Sequence, residues 1–265
     1  MMPVSPDDHA ALRACAHAMA DAARAAILPH FRTEMQADNK AGPGDFDPVT
    51  VADRAAEAAM RDVLAELRPM DAILGEEYGE SAGESGLTWV LDPIDGTRGF
   101  ISGTPTWGVL VSLNDAEGPV MGLIDQPFIG ERFEGAFGRA EVAGPMGTRA
   151  LRTRAARPLA EATVMTTFPE VGTAQEGAAF AVVAGAANLV RYGMDCYAYA
   201  LLAHGQIDLV IEAQLQPYDI CAPIALVQAA GGIVTDWNGG PAHGGGRVIA
   251  AANPQVHAEA MAMLP

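Results

Sequence analysis

Basic residues are scarce in this chain. Lys and Arg together number 16 against 33 Asp and Glu, a formal net charge of −17 over 265 residues. Polyphosphate binders gain affinity by neutralising phosphates with Lys and Arg, so nucleic acid and anionic membrane are excluded as partners. A phosphate handled by such a chain calls for metal ions as its counter-charge. Cysteine is scarce too. Cys15, Cys196 and Cys221 are too few and too scattered for a disulfide framework or a CxxC site, and free thiols in a reducing cytoplasm are expected. Aromatic residues make up 6% of the chain, which disfavours a wide aromatic binding face. No run approaches the roughly 18 apolar residues of a membrane span. The opening MMPVSPDDHAALRACAHAM is broken by Pro, Asp and His and lacks the apolar core of a signal peptide.

What is present suits a substantial core, since half of the residues are hydrophobic and Ala and Gly are abundant. Helical periodicity runs from Asp7 to about Phe31, and again through VTVADRAAEAAMRDVLAEL. Between them NKAGPGDFDP reads as an exposed loop. Strands are expected in AILG, in WVL and around Val109–Leu113 and Val120–Ile124, with NDAEG as the turn between the last two. After RAARP the pattern becomes strand (ATVMTTF), helix (CYAYALLAHGQ), strand (IDLVIEA), helix (YDICAPIALVQAAGG, stopped by Gly231-Gly232) and strand (GGIVTDW). This alternation marks an α/β protein with no internal repeat. Its soft boundary falls near residue 150, giving halves 1–150 (α+β) and 151–265 (α/β) within one compact body.

The segment WVLDPIDGTRGF sets a puzzle, because an apolar run breaks into two carboxylates, Asp92 and Asp95. At about 5 Å and an effective dielectric near 20, two such charges repel by roughly 3 kcal/mol. A proton, a basic partner or a cation must offset that. Carboxylates also end or begin elements at Asp53, Glu76 and Asp219, junctions that α/β folds bring along one edge. Singly, an Asp-Pro or Glu-Glu step is an ordinary turn or solvated loop. Jointly, two acidic clusters ending apolar strands exceed what capping needs. Asp and Glu oxygens are ligands for Mg²⁺ or Mn²⁺, and without His or Cys in these motifs zinc is disfavoured. In a two-metal site Asp92 would bridge, the Ile94 carbonyl and Asp95 would complete the two shells, Gly96 and Thr97 amides would meet a phosphate, and the Thr97 hydroxyl would orient a water. IDGT also looks like the DxDGT motif of covalent haloacid-dehalogenase phosphatases, but Pro93 stands where the nucleophilic Asp belongs.

GEE (Gly75–Glu77), DPIDGT (Asp92–Thr97), YDICAPIALVQAAGG (Tyr218–Gly232) and, upstream, DPVTVADRAAE (Asp47–Glu57) together resemble the ordered motifs of the inositol monophosphatase superfamily. The resemblance covers roughly residues 40–255. It implies an alternating αβαβα layered sandwich of the inositol monophosphatase and fructose-bisphosphatase type. It also implies hydrolysis of a phosphate monoester by a metal-activated water attacking in line, with no covalent intermediate. Two to three Mg²⁺ ions are implied, with Mn²⁺ as a substitute and Li⁺ as an inhibitor. Carried over, Glu76, Asp92 and the Ile94 carbonyl resemble one metal site, and Asp92, Asp95 and Asp219 the second, while a third ion leans on Glu76. Glu76 and Thr97 would activate the water, Asp53 would pair with Thr97 or orient the water, and Gly96 and Thr97 would cradle phosphate. Lys40 would approach from a loop longer than the usual pattern. By this resemblance most metal ligands lie in residues 1–150, residues 151–265 close the active site, and a homodimer acting on a small-molecule ester is expected, in the cytoplasm that the free thiols suggest.

The flanks DPIDGTRGFISGTPTWGVLVSL, GLIDQPFIGERFEG and RYGMDCYAYALLAHGQIDLVIEAQLQPYD look like the histidinol-phosphate phosphatase branch, which implies a place in histidine biosynthesis. Asp195 falls where inositol phosphatases carry a small residue, and Glu212 lies seven residues before Asp219. This acidic pair would face a leaving group that bears an ammonium and an imidazole, since charge-assisted hydrogen bonds are about twice as strong as neutral ones. Asp195 could instead be a helix N-terminal acid, and Glu212 a strand-end surface acid. The alternatives are an inositol-1-monophosphatase, a broader sugar or nucleotide phosphatase, and a catalytically silent metal-binding regulatory protein on the same fold.

Overall fold

Leu12, Cys15, Ala16, Met19, Ala23 and Ile27 recur at helical spacing and are fully buried along α1 (Pro6–Ile27). The helix stops short of the expected Phe31 because Pro29 disfavours helical backbone at the residue before it. It packs on α2 (Val51–Leu67), whose start is closed by a capping box between Thr50 and Asp53. The later helices are α3 (Thr97–Ile101), α4 (Ala174–Ala186), α5 (Asp195–Ala203), α6 (Pro217–Ala229) and α7 (Pro254–Met261). The computed structural model describes residues 6–33, 38–39 and 48–265.

Two sheets carry the architecture. The larger has eight strands in the order Gly147–Ala150, Arg139–Gly144, Glu131–Ala136, Pro119–Gln126, Gly108–Asn114, Thr88–Asp95, Ala72–Gly75 and Gly79–Ser81. The smaller has five, in the order Leu189–Tyr192, Thr163–Thr166, Leu209–Leu215, Gly246–Ala251 and Ile233–Asp236. Both faces of each sheet are covered. In the larger sheet Trp89, Leu91, Val109 and Val111 join the core with α1 and α2, while Leu110, Ile124 and Phe133 join the core with α5 and α6. In the smaller one Val210, Val248 and Ala250 share that middle core, and Leu209, Ile211 and Ile249 pack with residues of α4 and α7 on the outside. Strict alternation along the strands thus feeds three cores, each fully buried aliphatic side chain contributing about 1.5–3 kcal/mol. The layers read αβαβα, as the resemblance implied.

The eight-stranded sheet ends at Ala150 and the five-stranded one begins at Thr163, while α6 packs against strands of both. Periodicity leaves the strands of 131–150, Leu189–Tyr192 and Gly246–Ala251 unassigned, together with α4 and α7. A second difference concerns WVLDPID. The strand does not end before its acids but continues through Asp95, pairing Asp92 with Leu110 and Asp95 with Gly108 across a register shift. No helix among the described residues is long and apolar enough to cross a membrane.

Candidate active site

That register shift resolves the spacing puzzle. In a regular strand, residues three apart point to opposite faces. A bulge re-aims side chains locally, and here carboxylate oxygens of Asp92, Asp95 and Asp219 come within 4.8 Å of one another. Each of the three is fixed by a main-chain donor. Ile94 N donates to Asp92 Oδ1 at 3.0 Å, Cys196 N to Asp95 Oδ2 at 2.6 Å, and Gln216 N to Asp219 Oδ2 at 2.6 Å. The last bond belongs to the capping box that opens α6, so the α6 N-terminus delivers its acid to the strand end.

Glu76 completes the group. It follows strand Ala72–Gly75, donates its N–H to Leu91 O at 3.2 Å, and its carboxyl shares a hydrogen bond with Asp92. The turn that carries it hangs on Glu57, a residue to which the sequence motif gives no role. The fully buried Glu57 carboxylate accepts Glu77 N at 2.6 Å and Tyr78 N at 3.2 Å and is itself held by Arg61 at 2.8 Å. It lies against Gly75 so closely that a Cβ there would overlap it. A side chain at position 75 would have to push the Glu57 carboxylate off the hydrogen bonds that hold the turn.

Asp53 stands behind the cleft wall. It is buried, accepts Thr50 N at 2.8 Å and Thr50 Oγ1 at 2.5 Å, and its Oδ1 lies 3.5 Å from Thr97 Oγ1. The same hydroxyl lies 3.2 Å from Ile94 O. Gly96, at φ 85°, turns the chain between Asp95 and α3, and a Cβ on it would come 2.8 Å from Asp195 Cγ. Lys40 lies outside the described residues.

The remaining predicted residues share one cleft of about 540 Å³, with Glu76, Asp92, Ile94, Asp95, Gly96 and Thr97 on one side and Asp195, Glu212 and Asp219 on the other. Asp195 begins α5 at φ 46°, a left-handed backbone that costs an aspartate about 1 kcal/mol or more. Thr106 Oγ1 lies 3.4 Å from its Oδ2. Glu212 is not a surface acid but is buried, accepting Thr167 N at 2.8 Å, Thr167 Oγ1 at 2.9 Å and Thr166 Oγ1 at 3.4 Å. Cys196, Cys221 and Trp107 are buried core residues.

The electrostatics follow from burial. Burial pushes the Asp92 carboxyl well above the usual range, and the charges of Glu76, Asp95 and Asp219 push it further. Asp95 is raised by burial and by Asp195 and Asp219, against the Cys196 N–H. Burial lifts Asp195 to about 6, opposed by Thr106 and the Arg98 charge. Burial lifts Glu212 to about 7, opposed by Thr167, with Asp195 adding to the rise. A cluster that holds its acids this far from ionisation favours occupation by a cation. All its donors are hard oxygens, those of Asp92, Asp95 and Asp219 held by backbone, the set that suits Mg²⁺ or Mn²⁺.

Residues 8–264 match the inositol monophosphatase family. The chain belongs to that family. It is 41% identical over 228 residues to the chloroplastic bifunctional phosphatase IMPL2 of Arabidopsis thaliana, covering 85% of this chain and 64% of that longer protein. It is 33% identical to the histidinol-phosphatase of Streptomyces coelicolor, covering 94% and 95% of the two chains. The inositol monophosphatase of Zymomonas mobilis has the same fold, with a TM-score of 0.85 at 37% identity and 99% coverage of both chains. As a member of the inositol monophosphatase family the protein is a phosphatase, a phosphoric monoester hydrolase.

Proposed function

We propose that the protein is a Mg²⁺-dependent phosphatase whose first substrate is L-histidinol phosphate. Glu76, Asp92, the Ile94 carbonyl, Asp95 and Asp219 would hold two divalent cations. Bound there, such ions supply Lewis acidity and lower the pKa of a coordinated water, which removes the need for a covalent nucleophile. Glu76 would orient the attacking water and take up its proton, Thr97 would help orient that water, and Asp53 keeps the Thr97 hydroxyl aligned. Gly96 and Thr97 offer main-chain donors to the phosphate. Asp195 and Glu212 face the leaving group.

The observation that carries the substrate is this second acidic pair. Asp195 and Glu212 line the same cleft as the ligand set, and the Asp195 charge reaches Glu212. A polyol needs only hydroxyl partners, whereas an ammonium or imidazolium gains a charge-assisted bond from each carboxylate. Similarity to a histidinol-phosphatase along 94% of the chain supports the same reading. Inositol 1-phosphate is the second reading, favoured by the likeness to the Zymomonas enzyme.

Phosphate release from the two esters, side by side with Mg²⁺ and with chelator, separates them. Chelator-sensitive turnover that favours histidinol phosphate is expected. Asp195→Ala should then raise KM for the amino-alcohol ester about tenfold and much less for the neutral ester. Equal effects on both esters would return Asp195 to a structural role, and preference for inositol phosphate would select the second reading.

A further inference from the structure

Arg98 is the one basic residue among the described residues that line the cleft, against six carboxylates. It follows Thr97 on the larger-sheet side. Its guanidinium is centred 4.8 Å from the ring of Phe168, which extends from the end of strand Thr163–Thr166 in the smaller sheet. Phe168 is 43% exposed and follows Thr167, the residue that Glu212 anchors through both its N–H and its hydroxyl. The segment beyond is held in an unusual shape. Buried Val171 sits at φ 36°, a backbone that β-branched residues rarely adopt, and Gly172 at φ 66° returns to the cleft wall. The contact therefore joins the two sheets across the mouth of the cleft, on the side of Asp195 and Glu212.

The charges say what it is for. Two divalent cations would neutralise the four acids of the proposed ligand set, Glu76, Asp92, Asp95 and Asp219. Asp195 and Glu212 remain, and Arg98 offsets one of them. Its charge reaches Asp195, where it opposes the effect of burial. With both acids ionised, the leaving-group side would carry at most a single net negative charge, which one monocation would match. We propose that Arg98, clasped on Phe168, is a specificity-determining residue that sets how much positive charge the leaving-group side of the cleft accepts, rather than a ligand of the phosphate. A guanidinium suits this place because it stacks on an aromatic face and stays charged at every working pH. This inference rests on the reading of the cleft as a phosphomonoesterase site with Asp195 and Glu212 toward the leaving group.

The test is the ratio of kcat/KM for L-histidinol phosphate to that for inositol 1-phosphate in wild type, Arg98→Met and Arg98→Lys, each checked for an unchanged thermal midpoint. Removing a partly screened cation should raise the ratio about fivefold in Arg98→Met, whichever ester the wild type prefers. Arg98→Lys, which keeps the charge, should return the ratio toward wild type. Binding of free L-histidinol and of myo-inositol, measured by calorimetry, should show the same shift without turnover. A wild type that prefers inositol phosphate would overturn the proposed substrate yet leave the Arg98 shift decisive. Equal losses for both esters in Arg98→Met would make Arg98 a phosphate ligand and overturn the proposal. An unchanged ratio, or no L-histidinol binding to either protein, would overturn it as well.

Discussion

Asp125 and Asp92 are buried aspartates of one sheet, separated by a single strand and exposed by 0% and 2%. Asp125 lies between two guanidiniums, with Arg24 Nη2 at 2.7 Å and Arg132 Nε at 2.8 Å from its Oδ1. The charges that bear on Asp92 are those of Glu76, Asp95 and Asp219. The contrast recurs through the molecule. Glu134 is held by Arg13 and His17, Asp71 by Arg68 and the Trp89 indole, and Asp208 by Arg154. A buried carboxylate paired with guanidinium pins two elements together. A buried carboxylate among other carboxylates is an unfinished ion pair, which a cation from solution would complete.

The sharpest way to break this comparison is to remove one charge of each kind. Asp92→Asn keeps the shape and the bond from Ile94 N, but takes away a buried acid of the proposed ligand set. Turnover should fall by at least about 10³-fold, while the metal-free protein melts no lower than wild type because a buried repulsion is gone. Residual activity near wild type would remove Asp92 from the ligand set. Asp125→Ala should do the reverse. Two arginines lose their shared partner, and the protein should lose about 3 kcal/mol in denaturant melts with its KM for Mg²⁺ unchanged. A loss below about 1 kcal/mol would show that solvent already screens that pair.

The same contrast explains how much of the molecule was legible in the sequence. GEE, DPIDGT and YD could be read because their residue types carry the chemistry and sit directly beside apolar runs. The bulge between Asp92 and Asp95 could not, since it depends on pairing with Gly108 and Leu110. Some guanidinium partners lie close by, as Arg68 does to Asp71, but others lie far away in the chain, Arg13 from Glu134 by 121 positions and Arg24 from Asp125 by 101. Local pattern therefore cannot tell a pinned acid from an unfinished one. Glu57 shows the limit from the other side, because its motif is recognisable but its task of holding the Glu76 turn appears only in the fold. Periodicity does not reveal the hairpins of 131–150, because ERFEGAFGRAEVAGPMGTRA interrupts alternation with Gly, Arg and Glu, some buried as Glu134 is and some on the exposed edge strand Gly147–Ala150. α4 was missed because AQEGAAFAVVAGA has almost no polar face.

The smallest effect, and the one that sharpens the comparison most finely, is the pH dependence of stability without metal. Folding raises Glu212 from 4.5 to about 7 and Asp195 from 3.8 to about 6, burial being the main cause of both. A raised carboxyl takes up a proton on folding, so its stabilisation is full below the unfolded pKa and is lost as pH rises through the folded one. Glu134 and Asp71 run the other way. Burial opposes their ionisation, yet His17 and Arg13 hold Glu134 low, and Arg68, Ser85 and Trp89 hold Asp71 low. Their stabilisation is present above the ordinary carboxylate range and disappears as pH falls below it. The metal-free midpoint should therefore peak near about pH 4, declining on the acid side through the pinned acids and between about pH 4 and 7 through the unfinished ones. Mg²⁺, if held by the ionised cluster as proposed, should lift the alkaline side alone. Replacing Asp195 with Asn and Glu212 with Gln together should flatten part of that decline and leave the acid side untouched. A metal-free curve still rising from about pH 5 to 8 would mean that the cleft acids ionise freely without a cation, and the distinction between the two sets would fall.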